Sequence, residues 1–287
     1  MVTEACTNTG MDRYVLALLS GVMLPAAAQS DCVELNGEPG QGALLWAQVA
    51  PTSQVYLDDE ALRVSEQGIV VFGFGRDEDG QRTLRLEGDV SCKETLTLAA
   101  REYRIQRIEG VPQRTVTPDP EDLDRIRREA AKVRAARASG RSGTDFVQGF
   151  QWPITGPITG VYGSQRVYNG VAGRPHYGID IAAASGAPVT TPAPGVISLA
   201  EPDLFYSGGT VIIDHGNEVS STFLHLEKIL VTVGQRVVPG DIVGEVGATG
   251  RATGPHLDWR MNWRDRRVDP GLLVPPMPAS TAPTGSP

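Results

Sequence analysis

His176-Tyr177-Gly178-Ile179-Asp180 sets an imidazole and a carboxylate four residues apart, with Ile179 and Ile181 flanking the acid. On a helix the two would share a face. The glycine and the β-branched neighbours favour extended chain instead, where residues i and i+4 also share a face. Outward from this pentapeptide run short apolar segments, 188–189, 195–199, 210–213, 231–234 and 241–246, each bounded by glycine or proline. Such segments read as strands, so 146–274 is expected to be a β-rich domain.

All four histidines of the 287-residue chain, His176, His215, His225 and His256, fall in this region. Imidazoles and carboxylates converging from separate strands suit a catalytic zinc, which takes about three protein ligands at roughly 2.0–2.2 Å and keeps one position open for water. The pattern points to a metal-dependent hydrolase. Polyanion binding is disfavoured, because a formal net charge of -8 offers no general attraction to nucleic acid or anionic lipid.

The hairpin-like run Val233-Gly-Gln-Arg-Val-Val-Pro-Gly240-Asp-Ile-Val-Gly244 also resembles biotinyl and lipoyl carrier domains, but no lysine stands at its tip; Lys228 is the sole lysine after residue 132. Taken in order, His176-x-x-x-Asp180, Phe223-Leu224-His225-Leu226, that hairpin and Gly254-Pro255-His256-Leu257-Asp258 resemble the lysostaphin/LytM-type (duplicated hybrid motif) peptidoglycan metalloendopeptidases over about 155–274. The resemblance implies a LytM-like β-sheet or β-sandwich domain with a groove over one zinc. It implies as substrate the peptide stems or cross-bridges of cell-wall peptidoglycan, and admits a cell-division or amidase partner. Position by position, it makes His176 and Asp180 metal ligands, and His225 and His256 the catalytic histidines that move protons and stabilise the oxyanion. The family's third ligand is a second histidine two residues on, where this chain has Asp258. A carboxylate binds zinc at nearly the same distance, so Asp258 completes a His/Asp/Asp set. The alternative is a degenerate module that binds the wall or activates an amidase. His215 has no motif role and reads as a turn or supporting residue. Gly208-Gly209 suggests close backbone approach at the groove edge, Arg251 a loop residue, and Trp259, Arg260 and Trp263 core and rim.

The remaining chain supplies context. From Met11, one basic residue, the apolar run 14–24 and Pro25-Ala-Ala-Ala28 read as an export signal over 1–28 with a natural start at Met11, and no membrane anchor. The expected location is periplasmic or secreted. Cys32 and Cys92 then remain as an even pair, either a disulfide or two unrelated thiols. Alternating bursts between 40 and 110 read as a small Ig-like β-sandwich over 32–116 with its own core. Residues 117–145 hold one helix, from Glu121 to about Arg137, and a flexible linker at 139–144. The tail, 275–287, is expected to be disordered.

Overall fold

Alternation and turn spacing dictate the first half of the computed structural model, which describes residues 32–89, 91–108, 119–138, 140–168 and 170–278. The export signal and residues 279–287 of the tail lie outside the described residues. Seven short strands come first: β1 (Leu35–Asn36), β2 (Leu44–Gln48), β3 (Gln54–Leu57), β4 (Glu60–Leu62), β5 (Ile69–Gly73), β6 (Gln81–Glu87) and β7 (Cys92–Thr97). They make two antiparallel sheets, ordered β1-β2-β5 and β4-β3-β6-β7. In β6, Leu84 and Leu86 point inward while Arg85 and Glu87 stay half-exposed, the period-2 pattern of a strand with one buried face. A Cys32–Cys92 disulfide ties the two ends of this module together. With 60 residues between the cysteines, loop-closure entropy gives the bridge about 4 kcal/mol. Replacing both by serine is expected to lower the unfolding free energy measured in urea by an amount of that order; an unchanged value would show that the bridge adds no stability.

The connection to the second half is ordered on both sides of residues 109–118. β8 (Ile105–Ile108) runs parallel to β10 (Gln165–Tyr168), which pairs with β11 (Val171–Ala172), so a strand leaving the first module supports the chain just before His176. The helix α1 (Leu123–Arg137) follows a 3-10 turn at Pro120–Asp122, with acids at its start and Arg134 and Arg137 in its last turn, matching the helix dipole. Val133 and Ala136 pack on Leu199, Leu204 and Ile212. Around them Arg125 pairs with Asp203, Lys132 with Glu201, and Glu129 accepts from the Phe205 amide. After the helix, Arg141 meets partners from both sides. Arg141 bonds Asp145 and Asp214, and its carbonyl accepts from the Asn217 amide. Glycine and serine composition suggested mobility, but these buried acids hold the arginine.

The second half is one ten-stranded sheet. Its strands are β9 (Ile158–Gly160), β12 (Ile179–Ala182), β13 (Pro188–Thr190), β14 (Gly195–Leu204), β15 (Gly208–Gly216), β16 (Val219–Ile229), β17 (Arg236–Val237), β18 (Ile242–Val246), β19 (His256–Trp263) and β20 (Arg266–Val268). The main path runs β17-β14-β15-β16-β19-β12-β9, with β18 joining β13 to β16 and β20 joining β19. One face of β12, β16 and β19 buries Ile181, Phe223, Leu257, Trp259 and Met261. The opposite face carries Asp180, Thr222, Asp258 and Arg260, because successive side chains alternate. Instead of two separate cores, the buried apolar side chains form one cluster from Val33 to Val268. Gly73 makes room for this, since a Cβ there would meet Val268 Cγ1 at 2.9 Å. Glu60 adds ion pairs to Arg264 and Arg266 across the same seam. Among the described residues no helix is long and apolar enough to cross a membrane.

Candidate metal centre

Asp180 on β12 stands directly opposite Asp258 on β19, and His256 lies two residues before Asp258 on the same face. His176 sits just ahead of β12, where its amide donates to the Ser164 carbonyl at 2.8 Å and its carbonyl accepts from Gly163 at 2.8 Å. The strand β10 that packs on β8 continues from these same residues, so the first module braces the loop bearing His176. His176 Nε2 lies 3.2 Å from Asp180 Oδ1, and His256 Nε2 lies 3.8 Å from that oxygen. One ligand atom each from His176, Asp180 and Asp258 fall within 4.8 Å of one another. Atoms sharing one tetrahedral ion lie about 3.4 Å apart, so small side-chain shifts would close this set.

The donor set fits a metal on a second ground. His176 Nε2 and Asp180 Oδ1 are buried, and neither has a hydrogen-bond partner among the described residues. Orphaned polar atoms of this kind are costly unless something charged satisfies them. Close approach of backbone on either side confines the carboxylates: a Cβ at Gly160 would meet Asp180 Oδ2 at 2.2 Å, and one at Gly178 would meet Asp258 Oδ1 at 2.3 Å.

Asp258 has a partner that the sequence reading placed on the rim. Arg260 donates from Nε to Oδ1 and Oδ2 at 2.9 and 3.0 Å, and also from its terminal nitrogen. Burial pushes the Asp258 carboxyl up, but the charge and hydrogen bonds of Arg260 outweigh it and hold the group below the usual carboxylate range. Two carboxylates with one guanidinium carry a net charge of one negative unit, equal to that of a single aspartate with two neutral histidines. Arg260 therefore offsets the extra charge that an aspartate brings in place of histidine. The residue was detectable in principle, because i and i+2 on a strand share a face.

His225 occupies the point where β16 changes partner, pairing with β19 up to Leu224 and with β18 from Leu226. Its φ of 66° is left-handed, a strained conformation for a non-glycine residue. The strain turns its ring towards His256, with centroids 4.8 Å apart. His225 Nδ1 donates to the Thr249 carbonyl and His256 Nδ1 to the Gly254 carbonyl, both at 2.8 Å. A carbonyl only accepts, so each ring carries its proton on Nδ1 and leaves Nε2 with a lone pair. Burial lowers the pKa of His225, which favours the neutral base. Thr249, absent from the sequence reading, is itself fixed by bonds from the Gly209 amide and to the Leu226 carbonyl. Gly208, with φ of 60°, allows this, since a Cβ there would meet Thr249 Oγ1 at 2.2 Å.

His215 is no turn residue. It lies within β15, fully buried, donating from Nδ1 to the Pro194 carbonyl and accepting at Nε2 from the Ser221 hydroxyl, both at 2.6 Å. Burial pushes its pKa down from 6.5 to about 4. The unfolded chain therefore takes up this proton first as pH falls. The stabilisation, on the order of 3 kcal/mol, is complete above the unfolded value and is lost progressively down to the folded one. His215→Gln is expected to flatten the acid decline of the urea midpoint; an equally steep decline in the variant would assign it to other groups. Of the remaining candidates, Arg251 stacks over Tyr206 at 4.8 Å, and Trp259 and Trp263 are core.

Comparison with known proteins identifies the family. The model of peptidase family M23 matches residues 174–270. Peptidoglycan DD-endopeptidase ShyA of Vibrio cholerae is 42% identical over 106 residues, covering 37% of this chain and 24% of ShyA. The DD-carboxypeptidase/endopeptidase Mpg of Neisseria meningitidis is 39% identical over 108 residues, covering 38% of this chain and 25% of Mpg. The match thus spans about a quarter of the length of these curated relatives. A crystal structure of a Pseudomonas aeruginosa protein classed as a peptidase M23 superposes with a TM-score of 0.64 at 31% identity, over 82% of this chain and 94% of that one. With that similarity running through both modules, the chain belongs to peptidase family M23.

Proposed function

We propose that the protein is a zinc-dependent endopeptidase that hydrolyses peptide bonds in bacterial cell-wall peptidoglycan after export from the cytoplasm. The observation that carries this reading is the buried, unpartnered pair His176 Nε2 and Asp180 Oδ1 beside Asp258. In this reading His176, Asp180 and Asp258 hold the ion. A bound zinc supplies Lewis-acid polarisation and water of lowered pKa. His225, neutral and held through Nδ1, takes the proton released by the attacking water at Nε2. His225 then gives that same proton to the leaving amine as the C–N bond breaks, and His256, in the form that carries protons on both ring nitrogens, donates a hydrogen bond from Nε2 to the developing oxyanion. Thr249 and Gly254 set the two rings by accepting from Nδ1.

A degenerate, non-catalytic module is the weaker reading. A site that had lost its ion would have no use for two orphaned donor atoms, nor for an arginine that offsets the second carboxylate. The test is to incubate the full chain with muropeptides from a muramidase digest and resolve the products by mass. Cross-linked dimers are expected to become monomers with the gain of one water, and a chelator is expected to stop this. Unchanged dimers with zinc-loaded, folded protein would sink the proposal.

A further inference from the structure

Beyond Asp258 the same face of the sheet holds three arginines with a single bonded carboxylate between them. Arg260 follows on β19. Arg267 lies on β20 opposite Asn262 and donates to its Oδ1 at 2.9 Å. Arg137 arrives from the last turn of α1 and donates from Nη2 to Thr222 Oγ1 at 3.3 Å, and Thr222 is the β16 partner of Arg260. Each guanidinium has five N–H donors to satisfy. Arg137 Nε is buried without a partner, as is Ser220 Oγ on the neighbouring pair with Asn262. Burial first, then Arg267 and Arg260, pulls Arg137 down to about 8; burial first, then Arg260, pulls Arg267 down to about 10. Asp258 offsets one of these charges and no other carboxylate bonds to the three among the described residues.

We propose that Arg137 and Arg267, with Arg260 at their edge, form a subsite for a free carboxylate of the substrate peptide. This rests on the peptidase reading above. Arginine suits the task because its planar fork binds carboxylate through paired, charge-assisted hydrogen bonds. Arg260 is two residues from Asp258 and Asn262, the β19 partner of Arg267, is four, so along the strand the subsite runs from about 7 to about 13 Å from the ion-binding residues. Stem peptides with carboxylates at that distance from the scissile amide are selected over neutral ones. Because Arg137 belongs to α1, the linker helix contributes a side chain to this subsite, and a fragment beginning at residue 146 lacks it.

The experiment compares native muropeptide dimers with the same dimers after carbodiimide-promoted amidation of their carboxylates. Two readouts are taken: kcat and KM of the zinc-loaded full chain, and calorimetric binding to the chelator-stripped full chain. Amidation is expected to weaken binding and raise KM about 10- to 100-fold, the size of one or two charge-assisted hydrogen bonds. Arg137→Gln and Arg267→Gln are expected to lose this discrimination, binding native dimers about as weakly as wild type binds amidated ones. Wild-type protein that binds both substrates equally would overturn the subsite, whether or not the variants fold. Discriminating binding without cleavage would leave the subsite standing and remove the peptidase reading instead.

Discussion

Asp258→Ala is expected to bind zinc more than about 100-fold more weakly than wild type, beyond the 10- to 100-fold typical of losing an outer partner of a ligand. The substitution removes a donor and also strands Arg260, whose guanidinium bonds both oxygens of this one carboxylate. An uncompensated buried charge costs about 3–5 kcal/mol, so the variant is also expected to be less stable. Competition with a coloured chelator separates the two effects when run on Asp258→Asn, which keeps the shape and loses the charge. Asp258→His, which restores the residue usual in the resembling family, is expected not to rescue affinity alone, because Arg260 then faces the ion as a bare cation. Asp258→His with Arg260→Gln is expected to bind more tightly than Asp258→His. Equal affinities for those two variants would mean that Arg260 does not offset the second carboxylate.

His225→Ala is expected to lower kcat by about 10²–10⁴, the usual contribution of a positioned proton-transfer group, while metal content stays at the wild-type level. Separation of turnover from metal content matters, since a ligand variant loses both. His256→Ala is expected to act similarly. The double variant is expected to fall well short of the product of the two effects, because groups that serve one transition state are not additive. Normal muropeptide turnover by folded His225→Ala would remove this histidine from the chemistry.

Local pattern disclosed much of this. Four of the apolar runs, at 188–189, 195–199, 210–213 and 241–246, fall on β13, β14, β15 and β18, whereas 231–234 is a turn rather than a strand, and the acid-to-base charge order located α1. Spacing alone put His256 and Asp258 on one strand face, because the period of a strand is fixed, whereas Asp180 joins them only through the register of β12 against β19. What the pattern could not carry were contacts between distant segments. Arg137 meets Thr222 across 85 residues, and nothing near Arg137 distinguishes it from the solvated arginines of the same helix. The Thr249 carbonyl that orients His225 has no side-chain signature at all. Composition suggested freedom at 139–144 and gave no sign that Arg141 meets Asp145 and Asp214. His215 read as a turn or supporting residue from its place after a buried-looking strand, and β15 in fact runs through it to Gly216.

Elemental analysis of wild-type protein purified without chelator bears most directly on the metal centre proposed at His176, Asp180 and Asp258. About one zinc per chain is expected, as for a catalytic site of three protein ligands. A folded chain that contains no metal, and takes up none when zinc is supplied, would contradict it.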